Sequence, residues 1–184
     1  MHVASERRRW FLSIGIALLM LSPILVLLLP RTVANVVHHS SSNMVLYVTT
    51  ATYIWYAAAF LLLVGSSFLV YFFWEWKFVL LLGCLPLLLS VVLFVFVSRH
   101  YIAIGYDEIS YQHLFSTKEH NYRWDEIEEA SYEQISASDN RWQYQFTFND
   151  GEKLVVAENG YIAEIQAWMS DQFKKANVEL VIIK

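Results

Sequence analysis

Three long runs without Asp, Glu, Lys, Arg or His fill most of the first hundred residues and decide what this chain can fold into. They lie at about Trp10–Leu29, Met44–Phe73 and Phe78–Val97. A helix rises about 1.5 Å per residue, so about 20 apolar residues cross the hydrocarbon core of a bilayer. The spacing therefore predicts three transmembrane helices within residues 1–98. The middle run is longer than a span needs, and its early part, Val48-Thr49-Thr50-Ala51-Thr52, is the least apolar. The short link Trp74-Glu75-Trp76-Lys77 makes the second and third helices an antiparallel hairpin, with aromatic residues where a membrane-interface belt is expected. Glu6-Arg7-Arg8-Arg9 precedes the first run like the start of a signal peptide, but the apolar stretch is too long for a signal core, which favours a retained helix. Pro23 within that run is a kink that membrane helices tolerate.

Charge separates the two halves of the chain. Residues 1–100 carry six Lys/Arg and two acids, and residues 101–184 carry seven Lys/Arg and fifteen acids. An acidic domain repels the phosphates of nucleic acid and lacks the clustered Lys/Arg that recognise anionic lipid heads. Arg7, Arg8 and Arg9 place the amino terminus in the cytoplasm, with Lys77 on the same side. Three spans then put the carboxyl-terminal domain outside. Arg31, Arg99 and Lys118 would share that outer side, and this weak contrast leaves its sidedness open. Spans without ionisable groups argue against a stand-alone pump or coupled transporter.

From Tyr101 onward the apolar period becomes two. Short strands are predicted over Tyr101–Ile104, Ile109–Phe115, His120–Trp124, Ile127–Ile135, Trp142–Phe148 and Lys153–Ala157. Ser136–Asn140 reads as a loop, and Asn149-Asp150-Gly151 is a strong hairpin signal. Asn159 then caps a helix striped by Ile162, Ile165, Met169 and Phe173, with Asn177 as its stop. Val178–Ile183 is apolar enough for a last strand or an interface segment. The soluble domain, residues 99–184, is thus a small β-rich α+β unit closed by one helix.

Two stretches carry a family resemblance. Tyr101-Ile102-Ala103-Ile104-Gly105-Tyr106-Asp107-Glu108-Ile109-Ser110-Tyr111, followed by Tyr122-Arg123-Trp124-Asp125-Glu126-Ile127, resembles the bacterial pleckstrin-homology-like (PH-like) domains, which often follow membrane helices directly. The resemblance covers about residues 99–176. It implies a barrel of about seven strands capped by the Asn159–Ala176 helix, no catalytic residues, and a role in binding or assembly at a bacterial plasma membrane.

Few residues suggest chemistry. Asp125, Glu126, Glu128, Glu129 and Glu133 are the densest acids, but no calcium-loop spacing accompanies them, and they read as a solvated strand edge. His113 and His120 flank one turn and read as sheet-surface residues. His38-His39 lacks a second ligand cluster. Trp142, Tyr144, Phe146 and Phe148 alternate strictly and read as core. Cys84, the only cysteine, falls in an apolar run. No Gly-rich phosphate loop or nucleophile triad is present. The expected function is a membrane protein presenting a non-catalytic binding module to a protein partner, with no catalytic, cofactor-binding or metal-binding residues, no cofactor and no small-molecule substrate. The alternatives are an accessory subunit of a larger transporter or secretion assembly acting through its helices, an enzyme working at the bilayer surface, and a barrel that binds neutral lipid.

Overall fold

Apolar residues that stay exposed define the amino-terminal part of the structure, a computed structural model that describes residues 2–38, 42–136 and 141–183. The chain runs α1 (His2–Val37), β1 (Asn43–Tyr47), α2 (Thr50–Phe72), α3 (Val79–Val97), β2 (Tyr101–Gly105), β3 (Glu108–Gln112), β4 (Glu119–Arg123), a single 3-10 turn (Trp124–Glu126), β5 (Ile127–Ser136), β6 (Arg141–Phe148), β7 (Lys153–Ala157), α4 (Gly160–Lys175) and β8 (Leu180–Ile183). It divides into two units. The first comprises Met1–His39, Leu46–Ile102 and Gln112–Glu119, and the second Ser40–Val45, Ala103–Tyr111 and His120–Lys184.

In the first unit α2 packs against both α1 and α3. Tyr56, Phe60 and Val97 form its core with Leu25, Leu29 and Phe94 around them, and the Phe94 ring meets Tyr56 and Phe60 edge-on at 5.5 and 5.0 Å. Ser66 and Ser90 of the α2–α3 hairpin donate hydrogen bonds to the carbonyls of Gly83 and Ala59, at 2.7 and 2.8 Å. Met20, Leu27, Leu81, Leu85 and Leu88 remain exposed.

Two segments, Glu6–Val37 and Thr50–Phe72, are long and apolar enough to cross a membrane. The sequence predicts three. The third helix is apolar but has only 19 residues, a length of about 28 Å against a hydrocarbon core of about 30 Å. The second predicted span also begins too early. Asn43–Tyr47 is a strand, and the helix starts only after Thr49, whose extended backbone (ψ 160°) serves as its N-cap. β-branched Val45 and aromatic Tyr47 suit a strand, and a continuous apolar run hides that change of period.

Among the described residues eight strands form two four-stranded sheets, ordered β1-β2-β3-β4 and β7-β6-β5-β8. Neither closes on itself, so two open sheets stand where the resemblance implies a barrel. In the second sheet β5 pairs antiparallel with β6 and β6 with β7, and β8 adds in parallel to β5 with Ala130 opposite Leu180. Tyr144, Phe146 and Phe148 are fully buried, as are Leu154 and Val156. The α4 stripe of Ile162, Ile165, Met169 and Phe173 is buried too, and Phe173 lies against Trp124 and Phe146 at ring separations of 5.6 and 5.8 Å. Burying each such side chain contributes about 1.5–3 kcal/mol.

Candidate functional site

Trp124 is the fixed point of a groove in the second unit. The 3-10 turn that carries it is closed by Glu126, whose Oε2 accepts from the Arg123 N–H at 2.6 Å. The indole Nε1 donates to the Gly105 carbonyl at 3.2 Å. Glycine is required there by close approach, since a Cβ at Gly105 would fall 2.9 Å from the Ser42 carbonyl oxygen. Trp168 meets both Trp124 and Tyr106 edge-on, at 5.4 and 5.9 Å. Around this aromatic wall lies an open groove of about 220 Å³ lined by Tyr106, Asp107, Arg123, Trp124, Asp125, Gln172, Lys175 and Ala176. Arg123 pairs with Asp125 at 3.2 Å, but both are exposed, so the pair is worth little and both partners can rearrange toward a ligand. The groove offers an aromatic wall, two cations and two carboxylates.

A second cluster in this unit joins His120, Tyr122 and Asp150. His120 Nδ1 lies 3.4 Å from Tyr122 Oη, which donates to Asp150 Oδ2 at 2.6 Å. Tyr111 stacks on His120 with ring centroids 5.0 Å apart, and Phe148 stacks on Tyr122 at 3.8 Å. His120 is therefore buried, where the sequence suggests a sheet-surface residue; aromatic neighbours on both strands cover its ring. Burial, then the nearby Glu152 and Asp150 carboxylates, push the Tyr111 phenol up to about 12. Burial and the hydrogen bond to Asp150 also raise Tyr122 well above its ordinary value. The Tyr122–Asp150 hydrogen bond ties β4 to the turn between β6 and β7.

The remaining sequence candidates disperse. Glu128 and Glu129 are exposed on β5, and Glu133 accepts from Ser131 Oγ at 3.1 Å. Among the described residues no group of three or more His, Cys, Asp or Glu side chains could hold a metal ion. In the first unit His38 stacks on Tyr101 at 3.8 Å, while His39 lies outside the described residues, as do Ser40, Ser41 and positions 137–140. Trp142 is half-buried and stacks on Tyr132 at 4.7 Å.

Sequence reasoning overlooks His100. It is buried in the first unit, just after α3. Its Nδ1–H donates to the Gln112 carbonyl at 2.6 Å, and Nε2 lies 3.0 Å from Thr49 Oγ1. Burial lowers the pKa of this imidazole, the bond to Gln112 opposes that shift, and nearby His113 adds to it. With Nδ1–H donating to Gln112, Nε2 of a neutral ring is placed to accept from Thr49. Tyr101 donates a short hydrogen bond to Glu119 in the same unit. A lone His at the end of an apolar run has no periodic signature, so only the pairing of distant segments exposes this role. No protein-family model matches the chain, and no curated protein matches it either.

Proposed function

We propose that this chain is an integral membrane protein of a bacterial plasma membrane whose carboxyl-terminal module binds a protein partner without catalysing a reaction. One observation carries the reading: the first unit keeps its large apolar side chains exposed along α1, α2 and α3, whereas the second buries an aromatic and aliphatic core of its own. Exposed leucines along three helices are costly in water and favourable in lipid. In this reading α3 is the third span, and a slight local thinning of the bilayer accommodates its shorter length. The module is PH-like by its strand motifs and by the order of strands followed by one packed helix. Its Trp124 groove is the contact surface.

The amino terminus lies in the cytoplasm in this reading. The accessory-subunit alternative is less well supported, because Ser66, Gly83 and Ser90 are occupied within the α2–α3 hairpin.

The test is affinity recovery from detergent of the full-length chain and of a variant with Arg123→Glu and Lys175→Glu together. Loss of a specific co-purifying protein from the variant, with the same yield of folded chain, supports the groove. An identical partner set overturns it, and partners lost instead on enlarging Gly65 favour the accessory-subunit reading.

A further inference from the structure

We infer that α1 carries a binding site for a zwitterionic phospholipid headgroup of the phosphoethanolamine type, an inference that rests on the membrane reading above. An open cavity of about 410 Å³ on the first unit is lined by Glu6, Arg9, Trp10 and Ser13. These residues follow one another at helical spacing, so they share one face of α1 and are ordered by depth. Glu6 and Arg9 are about 4.5 Å apart along the axis, and Ser13 lies about 6 Å further on. Beyond it the exposed apolar surface continues through Ile14.

That order matches the groups of a phospholipid in sequence. Glu6, nearest the helix start, supplies a carboxylate for a primary ammonium. Arg9 supplies a guanidinium for the phosphodiester, which it can grip with two parallel N–H donors. Trp10 is 68% exposed and places an indole N–H at the level where headgroup meets ester, and Ser13 offers a hydroxyl to an ester carbonyl. A purely anionic head would leave Glu6 facing negative charge. A choline head would give it a cation without N–H donors. The ammonium of a phosphoethanolamine satisfies both charges on this face.

Neighbouring contacts fix the site and leave it open. Arg8, on a different face, donates from Nε to the Tyr71 carbonyl at 3.1 Å, and its guanidinium carbon lies 4.7 Å from the Tyr71 ring centre. Phe11 meets Trp74 at 5.9 Å. These contacts tie the start of α1 to the end of α2, so Arg8 is committed to structure. Arg9 is exposed and forms no ion pair with any described residue.

The experiment uses the full-length chain purified in detergent and offered an equimolar mixture of phosphatidylethanolamine, phosphatidylcholine and phosphatidylglycerol with identical acyl chains, with bound lipid read by native mass spectrometry. The wild type is expected to retain phosphatidylethanolamine over phosphatidylcholine by about threefold, the scale of one exposed ion pair. Glu6→Gln should remove that preference, and Arg9→Gln should lower retention of all three lipids. Both side chains are exposed, and helical circular dichroism checks that the variants stay folded. Equal retention of the two zwitterionic lipids by the wild type overturns the inference, as does an unchanged ratio in Glu6→Gln. Phosphatidylglycerol retained above the others, and lost in Arg9→Gln, also overturns it and reassigns the face to anionic lipid. Alkaline carbonate extraction of the source membranes separates the two levels: release of the chain into the wash defeats the membrane reading itself, whereas a chain that resists extraction but shows no lipid preference defeats only the headgroup site.

Discussion

Gly83 and Val70 lie so close across the α2–α3 hairpin that a Cβ on Gly83 would fall 2.3 Å from Val70 Cγ2. Ser66 Oγ donates to the Gly83 carbonyl beside this contact, at 2.7 Å. Small residues that admit a neighbouring backbone and a buried serine bond are how helices associate where the hydrophobic effect gives no net drive.

Gly83→Ala should therefore weaken the hairpin. Valine is stiff about χ1, so Val70 cannot swing aside cheaply, and overpacking of this kind costs about 1–3 kcal/mol. The check is the thermal midpoint of the detergent-solubilised chain, with Gly83→Ala lower than wild type and the double variant with Val70→Ala partly restored. Gly65→Ala is the control. No atom of a described residue lies within 4 Å of a Cβ there, so that variant should be neutral or slightly more stable.

His100 should make stability fall in acid. Burial lowers its pKa in the folded chain below the ordinary value, and burial lowers His38 as well, against the attraction of Glu119. The unfolded chain then binds more protons than the folded one between the folded and unfolded values. The neutral imidazoles cost nothing above the unfolded value of about 6.5, and stability is lost as pH falls below it. Thermal midpoints measured at pH 7.5 and 5.5 should drop for wild type. The drop should shrink in His100→Gln and shrink further when His38→Gln is added. A drop of the same size in the double variant would assign it to other groups.

Tyr47→Phe should leave stability unchanged or raise it. The Tyr47 hydroxyl is buried and has no hydrogen-bond partner among the described residues, and burial raises its pKa above the ordinary phenol value. Burying an unpaired polar group costs about 1–3 kcal/mol, which phenylalanine avoids while keeping the ring. A thermal midpoint that falls in Tyr47→Phe would show that the hydroxyl is satisfied in the folded chain.

The local devices of the second unit were legible in sequence because each acts over a few residues. Trp142–Phe148 alternates and its Tyr144, Phe146 and Phe148 face is buried, and Asn149-Asp150-Gly151 turns the chain with Gly151 at φ 83°. Features that depend on distant pairing were not legible. β8 joins β5 in parallel, with Ser131 opposite Val181, and no pattern within Val178–Ile183 chooses that partner. β1 was hidden inside an apolar run. The Trp124 groove draws Tyr106 and Lys175 from opposite ends of the second unit's sequence, and the polar residues involved are individually ordinary. The α1 face was half visible. Its basic start read as a topology signal, but the axial order of Glu6, Arg9 and Ser13 carries meaning only once the helix is known to run unbroken from His2.

The two ends of α4 should respond oppositely to substitution. At its start Asn159 is extended, and its Oδ1 accepts from the N–H groups of Tyr161 and Ile162 at 3.0 and 3.1 Å. Asn159→Ala leaves both donors without a partner and should cost about 1 kcal/mol. At its end Asn177 adopts φ 57°, the Val178 N–H reaches back to the Phe173 carbonyl at 2.9 Å, and the Asn177 N–H reaches Lys174 at 3.3 Å. This is a Schellman closure, in which the left-handed residue favours glycine or asparagine. Asn177→Gly should therefore be neutral or stabilising, whereas Asn177→Val places a β-branched side chain in a strained backbone and should destabilise by about 1–2 kcal/mol. The same closure sets the path from Phe173, buried under the sheet, to Leu180 opposite Ala130. Amide hydrogen exchange of the full chain is the check. Asn177→Val should speed exchange in Leu180–Ile183 along with the last turn of α4, and Asn159→Ala should speed it only in the first turn. If β8 stays as protected in Asn177→Val as in wild type, the strand is held by β5 alone and the helix stop plays no part in placing it.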